Sequence, residues 1–279
     1  MKKARMLCNI DMLRLRCTGG DMIFEVLKEY GEFRYVDGKV IVTNYEYFKR
    51  GGDVRKISAS VWLDELDYAV AELAIEANHY THIRLSNQFL YSGMIDIIHG
   101  MVEVLCLQID AIERLDLALD CNVSLLSRLR RMVRNTKEYD MLINGKKVKE
   151  DEACLLLIGE LSRKKANVSN AMITHKNSCG LQLRVYDKAK EIDENSDKQY
   201  IRINNQMEGQ MHRLEIAISE KFINSNVDDK DVFLDAVLKD PDTRMVILRE
   251  LSDKIIRFNA KSASMKKKAD IVSLLDLIY

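Results

Sequence analysis

Four stretches of this chain carry side chains whose types and spacing suit chemistry on phosphates or metals. RLDLALD occupies residues 114–120. As a strand it sets Arg114, Asp116, Ala118 and Asp120 on one face and three leucines on the other. Carboxylates are poor strand formers, and two of them four residues apart on one strand face suit a hard divalent cation, which takes oxygen ligands. The alternative is a half-exposed strand with a solvated polar face. RLEIAIS, residues 213–219, repeats the Arg-x-acid pattern with Arg213 and Glu215. There the alternative is a cross-strand ion pair. LRVYDKAKE, residues 183–191, reads as a strand with Arg184, Tyr186 and Lys188 on one face. Cations beside a phenol stabilise the phenolate, and the same cations suit a phosphate. The alternative is a packing tyrosine. SLLSRLRRMVRNTK, residues 124–137, reads as a helix with Leu125, Leu126, Leu129 and Val133 on its apolar side. Its cations Arg128, Arg130, Arg131, Arg134 and Lys137 suit a phosphate backbone, or simply a solvated surface.

Other chemistries are excluded by what the sequence lacks. It has no P-loop, no G-x-G-x-x-G, no G-x-S-x-G and no H-E-x-x-H. His79 and His82 stand three apart with no further histidine cluster around them. The six cysteines are scattered without a C-x-x-C pair, which predicts buried free thiols in a reducing cytosol.

The elements that position these residues are mostly strands. NIDMLRLR (9–16), VRKISASVWL (54–63), HIRLS (82–86), RLDLALD, LQLRVYD (181–187) and MHRLEIAIS (211–219) alternate in strand fashion, and 154–159 is a further candidate. Gly19-Gly20 break the chain before a short helix carrying Met22, Ile23, Val26 and Leu27. FRYV-DG-KVIV predicts a hairpin turning at Asp37-Gly38, and Asn144-Gly145 mark another turn. Residues 92–105 carry helical spacing. A faint echo pairs IRLSNQ (83–88) with IRINNQ (201–206) as sheet-forming segments. Beyond a soft boundary near residue 222 the pattern turns helical over 230–239, 242–258 and 268–278, ending in a basic run at Lys266-Lys267-Lys268. The fold class expected is α+β: a mostly antiparallel sheet flanked by helices, with a small helical C-terminal segment.

The chain has 279 residues, enough for one large domain or two small ones, and 47% of them are hydrophobic, enough for a sizeable core. Its 43 Lys and Arg balance 43 Asp and Glu, so any nucleic-acid site must come from local clustering. No stretch reaches about 18 uninterrupted apolar residues, and no secretory signal opens the chain, so a cytoplasmic protein without a membrane span is expected.

Taken in order, RLDLALD, YDKAKE and RLEIAIS resemble the replication initiators of Rep-trans type rolling-circle plasmids and the related relaxases of conjugative transposons. NIDMLRLR and HIRLSNQFLYSG fit the N-terminal half of that pattern, and the resemblance covers roughly residues 9–220. It implies a catalytic domain over 1–222 followed by a helical segment over 223–279. It also implies an enzyme that nicks one DNA strand, stays attached through a 5′-phosphotyrosine and so initiates replication of a plasmid, phage or mobile element. By the same resemblance Tyr186 is the nucleophile, with Arg184 and Lys188 at its phosphates. Asp116, Asp120, Glu215 and Glu191 are the metal sites, for Mg2+ or Mn2+. The partners implied are origin DNA, a helicase and a second copy of the chain. The alternative is a non-catalytic relative that binds DNA or docks a protein, with a phage structural role included. Tyr91, in SNQFLYSG, is the next tyrosine to consider.

Overall fold

A computed structural model describes residues 5–35, 38–77, 80–148, 170–174, 180–195, 197–261 and 270–278. The chain divides into two compact units: Ile10–Leu115 with Ser219–Lys239, and Met1–Asn9 with Asp116–Ile218 and Asp240–Tyr279. The class is α+β, with antiparallel strand pairs flanked by helices, as the alternation predicts.

The first unit is a meander. Its strands are β1 (Met6–Gly19, from residue 10 onward), β2 (Glu32–Tyr35), β3 (Val40–Arg50), β4 (Asp53–Leu63), β5 (Ala69–Glu76) and β6 (Thr81–Leu85), in spatial order β1-β6-β5-β4-β3-β2. The hairpin predicted at residues 33–42 pairs Tyr35 with Val40 and Phe33 with Val42. Gly38 has φ +87°, the left-handed value the turn needs, while Asp37 lies outside the described residues. The Gly19-Gly20 break is sterically required. A Cβ on Gly20 would lie 2.3 Å from the Thr81 hydroxyl, and Gly20 has φ +93°. The helix that follows, Asp21–Tyr30, buries Ile23, Phe24 and Leu27, spaced for one helical face.

The second unit carries the three motif strands. β7 (Leu107–Cys121) enters it at Asp116. Its other strands are β8 (Tyr139–Ile143), β9 (Lys146–Lys147), β10 (Asn170–Thr174), β11 (Leu181–Asp187), β12 (His212–Ser219), β13 (Ile256–Ala260) and β14 (Ile271–Val272). One sheet runs β10-β11-β12-β7 and a second runs β14-β13-β8-β9. The Asn144-Gly145 turn forms as predicted, with φ +53° and +75°. Between β7 and β8 the helix Leu125–Arg134 buries the four apolar residues read from its sequence.

Four expectations need correction. Residues 201–206 are not sheet-forming. They belong to the helix Gln199–Asn205, which buries Ile201 and Asn205 one turn apart, a spacing that four residues of I-R-I-N alternation conceal. The C-terminal helix stops at Ile255 rather than 258, because Ile256 and Phe258 alternate with Arg257 and Asn259 as β13, paired to β8. The expected helix over 268–278 is instead β14 and a single 3₁₀ turn, Leu275–Leu277, within its described residues. Cys106 is exposed rather than buried. The candidate strand 154–159 and Lys266-Lys267-Lys268 lie outside the described residues.

Burial pushes the Cys8 and Cys17 thiols up to about 12 and Cys121 to about 11. Iodoacetamide at mildly alkaline pH is therefore expected to modify Cys106 in the native protein and to spare these three until the chain is unfolded in urea. Peptide mass mapping reads the result; equal labelling of Cys8 and Cys106 would contradict the packing. No helix among the described residues is long and apolar enough to cross a membrane.

Candidate active site

The three motif strands are neighbours, in the order β11-β12-β7. β11 and β12 pair in a register that sets Tyr186 opposite Arg213, Arg184 opposite Glu215 and Gln182 opposite Ala217. Residues paired across a sheet point to the same side, so these six side chains share one face. The other face carries Leu181, Leu183, Val185, Leu214, Ile216 and Ile218, all buried in the core. The apolar half of each strand thus fixes which residues the polar half presents.

On the polar face two hydrogen-bonded groups form. In the first, the Tyr186 hydroxyl donates to Glu215 Oε2 at 2.8 Å, and Arg184 Nη1 donates to Glu215 Oε1 at 3.1 Å. Glu215 is buried, its side chain 4% exposed, while Arg184 is 34% exposed and Tyr186 is half-buried. The tyrosine and arginine therefore form a rim over a buried carboxylate. Arg184 Nη2 donates to Gln182 at 3.2 Å, and its buried Nε–H has no acceptor among the described residues.

The second group lies one strand further in. Arg213 Nε and Nη2 donate to Asp120 Oδ1 and Oδ2, each at 2.7 Å, a two-pronged pair in which both side chains are fully buried. Asn205 donates to the same Oδ2 at 2.7 Å and in turn accepts from Asn9 at 2.9 Å. The cross-strand ion pair weighed for RLEIAIS is thus what Arg213 makes. A solvated face on RLDLALD is not what forms: Asp116 is 2% exposed and Asp120 0%.

Lys188 does not share a strand face with Arg184 and Tyr186. β11 ends at Asp187, whose carboxylate accepts from the Lys190 amide at 3.0 Å and so caps the helix Lys188–Asn195. Lys188 nevertheless reaches the site from that helix. Its buried ammonium stands 5.8 Å from the centre of the Tyr186 ring and 2.5 Å from Glu191.

The basic helix Leu125–Arg134 lies on the opposite face. His212 and Asp187 form the register pair next to Arg213 and Tyr186, so they point away from that pair. Burial holds the His212 imidazole below its usual value, opposed by Asp187 and reinforced by Arg130. The helix packs against β11, the tyrosine's strand. Arg128 donates to the Leu277 carbonyl at the chain's end. Arg131 and Arg134 are exposed.

Three of the four carboxylates expected to hold Mg2+ or Mn2+ are engaged by other side chains in this arrangement. Both oxygens of Asp120 accept from Arg213 or Asn205, and both of Glu215 accept from Tyr186 or Arg184. Glu191 faces Lys188. Among the described residues no three of His, Cys, Asp and Glu gather as a metal site would require. His82 contacts Glu113 at 2.8 Å, and His79 lies outside the described residues. Tyr91 is 6% exposed, and its hydroxyl donates to Asp11 at 3.0 Å. Asn205 was missed in the sequence because its segment read as a strand; only the Asn205–Ile201 spacing hinted at a helix.

No family model matches the chain, and no curated protein does either. Among solved structures it is similar to a rolling circle replication initiator protein from Geobacillus stearothermophilus. The two share 15% identity and a TM-score of 0.52, over 98% of this chain and 95% of that one. At this identity the likeness is one of fold.

Proposed function

We propose that this chain cuts and rejoins one strand of DNA through Tyr186 and so initiates rolling-circle replication of a plasmid, phage or mobile element. The observation that carries the reading is the rim of Tyr186 and Arg184 over a buried Glu215, with Lys188 beside the ring, in a fold similar to a replication initiator's. The phenol oxygen attacks the scissile phosphorus. The bond to the 3′-oxygen breaks, and the chain keeps the 5′ end as a phosphotyrosine ester while a 3′-hydroxyl is released. The ester preserves the bond energy, so the step runs backwards to rejoin a strand. Arg184, whose guanidinium side chain is 34% exposed, offers N–H donors to a phosphate oxygen, and Lys188 adds charge at the ring. Origin DNA is the ligand in this reading, with a helicase and a second copy of the chain as its partners.

The test is direct. The full chain is incubated with supercoiled and with single-stranded DNA of the parent element, with Mg2+, with Mn2+ and with chelator. A denaturant-resistant protein–DNA adduct is expected. Its absence under every condition turns the reading to a non-catalytic relative that binds DNA or a protein.

The basic helix gives a second check. Arg131 and Arg134 are its exposed cations, so Arg131→Gln with Arg134→Gln should weaken DNA binding and flatten its salt dependence. With about 0.7 counterion released per single-strand phosphate contact, the slope of log affinity against log salt should fall by about 1.4. An unchanged slope would return this helix to an ordinary solvated surface.

A further inference from the structure

We infer that Glu215 is the base that receives the proton of Tyr186, rather than a ligand of a divalent ion. This deepens the strand-transfer reading and rests on it. A general base must first lie within hydrogen-bond reach of the proton it takes, at about 2.6–3.2 Å between heavy atoms. The Tyr186 hydroxyl meets Glu215 Oε2 at 2.8 Å. The acceptor is built in from three sides. Its strand buries it at 3% exposure, the β11 register sets Arg184 across from it, and the Arg184 guanidinium occupies its other oxygen. The other charged groups on or beside this face are Arg213, Asp120, Asp116, Lys188 and Glu191. Arg213 on its own strand pairs with Asp120 on β7, Lys188 lies near the ring with Glu191, and Asp116 is a buried carboxylate on the same β7 face as Asp120. A carboxylate with one oxygen on a guanidinium and the other on the nucleophile's proton is arranged for proton transfer.

The step balances without a further group. As the Tyr186 oxygen forms its bond to phosphorus, its proton passes to Glu215 Oε2. The phosphorus–O3′ bond breaks, its electron pair leaves with the 3′-oxygen, and that oxygen takes a proton from solvent water. In the rejoining direction Glu215 returns its proton to the phenolate as the ester is cleaved.

Glu215→Gln keeps the size of the side chain and an oxygen toward Tyr186 but removes its basicity. Single-turnover adduct formation on a single-stranded oligonucleotide is expected to slow by about 10²–10⁴-fold. Oligonucleotide affinity and the response to Mg2+ or Mn2+ are expected to match those of the unaltered chain. Placing 3,5-difluorotyrosine at position 186 supplies a phenol that gives up its proton more readily, so the deficit of Glu215→Gln should shrink by about tenfold or more. If Glu215→Gln fails to fold, Glu215→Asp carries the test: it keeps a base, and its own smaller deficit should shrink in the same way. A Glu215→Gln chain that reacts at the unaltered rate would overturn the inference. So would a deficit repaired by raising Mn2+ alone, which marks a metal ligand, or one untouched by the fluorinated tyrosine, which marks a structural role. If the unaltered chain forms no adduct at all, it is the strand-transfer reading that falls, and this inference falls with it.

Discussion

Tyr186→Phe is expected to abolish the covalent DNA adduct and the nick together, while oligonucleotide binding persists. The substitution removes one oxygen and keeps the ring between Arg184 and Lys188. It is not silent for stability. The hydroxyl lost is the one that Glu215 accepts from, and leaving a buried carboxylate oxygen short of a donor costs about 1–3 kcal/mol. The variant should therefore melt lower and still bind. Adduct formation that survives in Tyr186→Phe would mean that another residue is the nucleophile. Tyr91 is a poor replacement, because its ring is 6% exposed and its hydroxyl is held by Asp11.

Asp120→Ala is expected to be the most destabilising single change in the site. Arg213 is fully buried, and Asp120 meets it through two bonds of 2.7 Å. Breaking a buried ion pair by removing one partner costs about 3–5 kcal/mol. Asn205 loses its acceptor at the same time. Against a total stability of about 5–15 kcal/mol for a typical domain, this is enough to unfold a marginal protein at moderate temperature. Urea unfolding followed by circular dichroism reads the shift. A loss below about 1 kcal/mol would mean that Asp120 is not paired to Arg213 in solution. The same experiment separates two roles for RLDLALD, since a carboxylate reserved for a metal would leave the metal-free protein unharmed when removed.

The three motif strands of the second unit, β7, β11 and β12, were legible in the sequence, because alternation over their motifs is strict. Leucine, isoleucine and valine on every second residue over 115–119, 181–185 and 214–218 announce one buried face, and the residues between them announce the other. That these strands are adjacent came only from the order of motifs in the resemblance; periodicity cannot say which strands pair. Lys188 was misplaced because Y-D-K continues the alternation on paper, while the Asp187 side chain caps a helix at that point and ends the strand. The helix Gln199–Asn205 was hidden for a related reason: a short alternating run satisfies both periods until something at i+4 is buried. The basic helix was read correctly as a helix with the right apolar side. Its place behind Tyr186 was beyond reach, because which face of a sheet a crossing helix covers depends on how the chain leaves the strand. The carboxylates were recognisable as a group. Their partners were not, since Arg213 and Arg184 reach across strands to Asp120 and Glu215 and lie 93 and 31 residues away in sequence.

The most direct test of the central claim is to find where the DNA attaches. The full chain is reacted with a single-stranded oligonucleotide from the parent element's origin, denatured, digested with nuclease and protease, and analysed by peptide mass mapping. The account predicts one modified peptide, carrying a 5′-nucleotide on the Tyr186 hydroxyl. A nucleotide on any other residue, or a reaction that cuts the strand and leaves no modified peptide, would contradict it.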